Sequence, residues 1–223
     1  MKIFLLTFFL QIFIYSSYSQ TIRGIVVSKP NKKQTEYTLT SKEAKGKVFT
    51  YKYSNRKSEM KQVSNDISAI DTVVVEVQGF KLPQEHKIIS TSELIYFKDF
   101  NINIIKQNST KTNVDTSIKD VIPIFDWKLT TETQKISGYN CKKATTLNNY
   151  YGIEIPVTAW YAEDLKINDG PMIYSGLPGF IIKIEISTFS SYTFQKIVVS
   201  KDDIQIEEPV NKAKPITFKE FKI

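Results

Sequence analysis

The residues that could carry chemistry are few and scattered. The 223-residue chain has one histidine, His86, and one cysteine, Cys141. A single histidine cannot build a multi-histidine metal site. It follows Leu82-Pro83 in a polar stretch that reads as surface, so a Ser-His-Asp triad is not expected. No Gly-x-Ser-x-Gly elbow and no phosphate-cradling glycine loop occurs. Glu154, Glu163, Asp164 and Asp169 cluster in sequence. Two carboxylates about 5–9 Å apart could perform glycosidic acid–base chemistry, but as loop acids these four are expected to be solvated. Cys141 has no histidine nearby in sequence to generate a thiolate and is expected as a small buried hydrophobe. No catalytic residue, cofactor or metal ligand is assigned.

Trp127 and Trp160 are the only tryptophans. Each sits in a predicted strand, where core packing is its simplest role. Together they could also line a concave apolar site, because such sites are rich in aromatic rings.

The elements that position these residues read as strands. Tyr, Phe, Ile, Val and Thr are abundant, while Gly and Pro occur singly. Residues 48–54 alternate Phe49, Tyr51 and Tyr53 against Thr50, Lys52 and Ser54. Further strands are predicted over residues 22–28, 34–40, 73–78, 86–97, 101–107, 124–130, 142–148, 153–162, 179–188 and 192–200, with Ser190-Ser191 turning a hairpin between the last two. No stretch shows an apolar stripe of helical period over three turns; a short helix is allowed over 64–70 or 165–168. Residues 107–119 are polar and read as a loop or linker, and the tail from Glu207 reads as extended. The expected fold is mainly β: a strongly curved antiparallel sheet of about nine to eleven strands, a half-open barrel or a sandwich, with few short helices.

Two glycine-proline corners bracket one loop. Gly170-Pro171 makes the first. At the second, Pro178-Gly179 suits the centre of a type II turn, with Leu177 extended before the proline and Gly176 free to bend. The loop over residues 163–175 is therefore pinned at both ends. It forms a corner that delivers Phe180-Ile181-Ile182 into a buried strand, or rims a pocket or partner surface.

The first residues place one cation, Lys2, before an apolar run to Tyr15, then Ser17-Tyr18-Ser19 and Gln20. This is the order of a signal peptide cleaved after Ser19, leaving a β-rich domain over 20–223. The run is shorter than the about 20 residues that span a bilayer, and the leader holds no cysteine for lipid attachment. Export to the periplasm or medium, without a membrane span in the mature chain, is the expectation. The net charge of +7 is interspersed with acids. The most basic run, residues 52–61, holds four cations and one acid, so no nucleic-acid surface is expected.

Motifs of the second half carry a family resemblance. They are Trp127-Lys128-Leu129-Thr130, the run 136–144 with Gly138-Tyr139-Asn140-Cys141, the run Ala159-Trp160-Tyr161-Ala162, Asp169-Gly170-Pro171, and Gly176-Leu177-Pro178-Gly179-Phe180-Ile181. In this order they resemble the GLPGLI family of exported Bacteroidota proteins, over about residues 88–200. The resemblance implies an envelope or secreted location in a Gram-negative bacterium, and no activity. Combined with the residues, the expectation is a non-catalytic binding module for an apolar ligand or a protein segment. Its candidate residues are Trp127, Tyr139, Cys141, Trp160, Tyr161, Gly170, Pro171, Gly176, Leu177, Pro178 and Gly179. An assembly factor for an outer-membrane complex and an envelope hydrolase are the alternatives.

Overall fold

The computed structural model describes residues 20–30, 46–63, 68–77, 80–89, 92–111, 114–187 and 190–221. The leader over 1–19 and the strand predicted over 34–40 lie outside them, as do the side chains of 68–77 and 80–89 and with them the expected exposure of His86.

Eleven antiparallel strands form one unclosed sheet. These are β1 (Thr21–Pro30), β2 (Val48–Ser54), β3 (Lys57–Gln62), β6 (Ser92–Asp99), β7 (Ile104–Lys111), β8 (Val114–Val121), β9 (Lys128–Ile136), β10 (Tyr139–Asn148), β11 (Ile155–Ala162), β12 (Phe180–Ile186) and β13 (Ser190–Ser200). Their order is β8-β7-β6-β3-β2-β1-β13-β12-β11-β10-β9. The remaining pair, β4 (Ser68–Val77) and β5 (Phe80–Ile89), forms a two-stranded ribbon. The curved antiparallel sheet is thus the observed fold, in its open form, with no helix among the described residues.

One face of the sheet holds the core. Ile22, Val26, Phe49, Tyr51, Met60, Tyr96, Ile105, Ala144, Val157, Ala159, Ile184 and Phe194 all belong to one buried cluster. At its centre Tyr51 meets Phe194 edge-on at 5.0 Å and Phe180 at 5.5 Å, the geometry that aligns ring edges with ring faces. Gly24 makes room for this: a Cβ there would lie 2.7 Å from the Phe194 ring. Bulges interrupt the ladders at Ile25/Val26, Lys142/Ala144 and Trp160/Tyr161, and each adds bend and twist. The curl brings distant strands together. Tyr151, between β10 and β11, donates a hydrogen bond to Gln107 Oε1 of β7 at 3.0 Å.

The tail covers one edge. It starts beside β1 and β2, where Thr21 donates to the Asp202 carbonyl and Ser54 to Asp203. It then crosses the outer face, where Glu208 pairs with Lys106 at 2.6 Å and Lys119 at 3.4 Å. Finally Ile216 bridges Ile118 of the edge strand β8, and Phe218 turns onto Tyr150 and Tyr151. A covered edge offers no ladder to a foreign strand.

Several local expectations change. The polar stretch 107–119 is the β7–β8 hairpin rather than a linker. Its polar residues pair across the ladder, Ser117 with Asn108 at 2.8 Å and Thr110 with Asp115 at 2.7 Å, so they need no apolar partner. The basic run 52–61 is the β2–β3 hairpin; its three lysines meet Glu59, Asp99 and Glu93, and Arg56 donates to the Phe100 carbonyl. The strand predicted over 86–97 is two strands, β5 and β6. Residues 124–127 are irregular and β9 begins at Lys128. Residues 165–168 do not coil into a helix because their carbonyls are engaged elsewhere: Leu165 O accepts from Phe180 N at 3.0 Å and Asn168 O from Gly176 N at 3.1 Å.

Candidate functional site

At one end of the sheet four irregular segments converge. The β2–β3 turn carries Asn55 and Arg56, both left-handed at φ 49° and 59°, the conformation of a tight two-residue hairpin. It is tied to the β6–β7 turn: Phe100 N donates to Arg56 O at 2.9 Å and Asn101 Nδ2 to Asn55 O at 3.1 Å. After β8 the chain runs through Ile122, Pro123 and Phe125, and Trp127 follows. The fourth segment is the loop 163–179.

This loop is held by backbone and by one buried charge. Ile181 N donates to Asp169 O at 2.9 Å, and Trp127 Nε1 to Ser175 O at 2.9 Å. Gly170 packs so closely on β12 that a Cβ would lie 2.5 Å from that of Ile181. Below it, Lys98 of β6 points into the core, an inward position shared with Tyr96 two residues earlier. Its ammonium donates to Asp169 Oδ1, to Gly170 O at 2.9 Å and to Tyr174 O at 3.2 Å. Tyr51 donates to the other Asp169 oxygen at 2.7 Å. The Lys98 and Asp169 side chains are 2% and 1% exposed. Burial draws the Lys98 ammonium below its ordinary value while Asp169 pulls it back; burial and then the Asp169 charge drive the Tyr51 phenol well upward. Tyr51 therefore stays a donor. All three ammonium protons have acceptors, the condition under which a buried charge is tolerated. Asp169, expected as a solvated loop acid, is thus the anchor of the loop, because three donors converge on it and on its neighbours.

Above the anchor opens a half-open cavity of about 480 Å³, within the about 300–1,000 Å³ of small-ligand sites. Tyr53, Phe100 and Phe125 supply rings; Arg56, Asn103, Lys166 and Asn168 supply polar groups at the mouth. Among the described residues Asp169 is the one carboxylate in the wall, and it is tied by Lys98 and Tyr51. Among the described residues no group of three histidine, cysteine or acidic side chains could hold a metal ion.

The predicted residues separate into three places. Gly170, Pro171, Gly176, Leu177, Pro178 and Gly179 shape the loop, and Gly176 reaches the cavity wall. Trp127 stands behind that wall, 5.7 Å from Phe125 and 6.4 Å from Tyr174. Trp160 does not join it. It alternates with the buried Ala159 and Tyr161 on β11, and so faces the opposite side of the sheet between Lys143 and Lys183. Tyr139 and Cys141 lie on β10, away from the cavity lining. Cys141 is fully buried and its thiol, 3.6 Å from the Tyr139 carbonyl, is pushed by burial up to about 11. A thiol reagent is expected to leave the native protein unmodified and to label one thiol after unfolding; rapid labelling in the native state would show access that the fold denies.

The Pro178-Gly179 corner is tighter than a type II turn. Gly179 N donates to Leu177 O at 2.8 Å, closing a three-residue turn on Pro178. Gly179 is required for space: its Cβ would lie 2.4 Å from Ala162 O.

Lys98, Tyr51, Arg56, Asn103, Lys166 and Asn168 were not singled out from the sequence. One signal exists for Lys98: a lysine in phase with Tyr96, within the apolar strand 94–98.

The family model that matches is described as "N-glycanase peptide, N-terminal domain" and covers residues 42–217. This overturns the resemblance to the GLPGLI family. The motif residues meet geometric demands, a corner without space for a Cβ and a sharp proline turn, and such demands do not discriminate one family from another. No curated protein matches the chain. Two solved structures described as PNGF-II, in C2 and P21 space groups, are similar with TM-scores of 0.49 at 17% identity. Each match covers 85% of this chain but only 28% and 29% of theirs, so the chain spans under a third of those proteins. With 42–217 matched out of 223 residues, the chain belongs to the family of N-glycanase N-terminal domains.

Proposed function

We propose that this chain is an exported, non-catalytic binding domain that holds a protein segment in the cavity at the end of the sheet. One observation carries the reading. Four segments build a ring-lined cavity with polar groups at its mouth, yet the one carboxylate that the described residues bring to it is consumed as a structural anchor. Rings accept apolar side chains, while Asn103 and Asn168 can each donate to and accept from a peptide backbone. A carboxylate acting as general acid or base must be free to exchange a proton, and Asp169 is held by Lys98 and Tyr51. The family's N-glycanase name suggests a glycoprotein as the source of the segment. Export rests on the leader read in residues 1–19.

Trp127 reports on the wall. In a Trp160→Phe background its fluorescence should change saturably with glycosylated peptides and equally with the same peptides stripped of glycan. Phe125→Ala should weaken binding about tenfold or more, the loss of one buried ring. A signal indifferent to every peptide would refute the reading.

A further inference from the structure

The outer face of the sheet carries a second cavity, where the tail crosses β6, β7 and β8. Its volume is about 190 Å³, below the about 300 Å³ at which sites for larger ligands begin. Asn108 is part of its lining and is 4% exposed. Ser117 Oγ donates to Asn108 Oδ1 at 2.8 Å, but Asn108 Nδ2 has no partner among the described residues. Turning the amide over would not remove the vacancy: Nδ2 would then donate to Ser117, and Oδ1 would be left. A buried polar atom without a partner is rare and calls for one.

The rest of the wall narrows the class of partner. Asp115 accepts from Thr110 at 2.7 Å, and Glu93 pairs with Lys61 at 2.6 Å. A carboxylate takes about four hydrogen bonds, so both have capacity left. Lys212 adds a donor from the tail, and Ile95 and Val210 add apolar surface. Two carboxylates disfavour an anion. Lys61 and Lys212 disfavour a bare cation. A purely apolar ligand would leave the Asn108 amide unpaired. What fits is a small neutral group whose hydroxyls both donate and accept and whose ring carbons can lie on Ile95 and Val210.

We propose that this cavity is a subsite for one sugar ring, free or attached to a protein, which accepts from Asn108 Nδ2 and donates hydroxyls to Asp115 and Glu93. It is separate from the peptide cavity: the outward positions of β6–β8 form it, whereas Tyr96, Lys98, Ile105 and Ile118 point to the core.

The test uses the isotope-labelled full chain, with the Asn108 side-chain amide signals identified by their loss in Asn108→Leu. Free glucose, mannose and N-acetylglucosamine, a glycosylated peptide and the bare peptide are titrated in turn. The expected result is a saturable shift of the Asn108 amide with at least one free sugar, or with the glycosylated peptide alone if the ring is read only when attached to protein. Asp115 is half-buried at the hairpin, and Asp115→Ala, checked for an unchanged thermal midpoint, should weaken that binding about tenfold or more. No saturable shift with any sugar or glycosylated peptide, an equal shift with the bare peptide, or unaltered affinity in Asp115→Ala would each overturn the proposal.

Discussion

Lys98→Met is expected to destabilise the protein by about 3–5 kcal/mol, because it strands the Asp169 carboxylate in the core without its counter-charge. The geometry supports the upper part of that range. Asp169 is fully buried, and the same ammonium also serves the carbonyls of Gly170 and Tyr174. Losing it therefore leaves three acceptors short of a donor. Asp169→Leu should cost a similar amount, since it leaves the ammonium buried with only carbonyls around it. The double variant should cost clearly less than the sum, because replacing both members of a buried pair removes both desolvation penalties. Urea unfolding of the four proteins closes the cycle. Single-variant losses under about 1 kcal/mol, the level of an exposed pair, would show that the anchor is solvated in solution. The same variants should lose peptide binding, because the Asp169–Ser175 wall is held to β6 by this ammonium.

The second large effect is expected at the corner. Gly179→Ala should cost about 3 kcal/mol, the upper end for overpacking. The added Cβ would meet Ala162 O at 2.4 Å, Ala162 C at 2.8 Å and Glu163 Cα at 2.9 Å. All three are backbone atoms, so no side chain can swing away. The chain would have to move, at the expense of the Phe180–Leu165 and Ile181–Asp169 backbone hydrogen bonds that flank the corner. Gly152→Ala is the control. Gly152 is left-handed at φ 81°, but nothing lies within 4 Å of its Cβ position. It should lose only the left-handed strain, about 1–2 kcal/mol. Equal losses at the two glycines would mean that conformation, and not contact, sets the requirement at Gly179.

Both effects bear on how much of the site was legible in the chain. The corners were readable because Gly and Pro act through their own backbone, so Gly170-Pro171 and Pro178-Gly179 could be placed as bends before any contact was known. The kind of turn was not readable, since the space at Gly179 is set by Ala162 on another strand. Asp169 was misjudged for a similar reason. A carboxylate beside Asn168 and Gly170 reads as a loop acid until Lys98, 71 residues earlier, is found beneath it. The family resemblance drew on these corners among other motifs, and the match over 42–217 replaced it.

The sequence by itself determined the strands of alternating type, the antiparallel β class, and, with one histidine in the chain, that no multi-histidine metal site can form. Those follow from periodicity and composition, which are local. Only the tertiary structure decided that the polar stretch 107–119 is a hairpin, that Trp127 and Trp160 stand on opposite faces, and that Tyr51, Lys98 and Asp169 meet. Each depends on register and on the bulges that curl the sheet. Slipping a strand by one residue reverses every side chain on it, and nothing in the composition of a strand states its register.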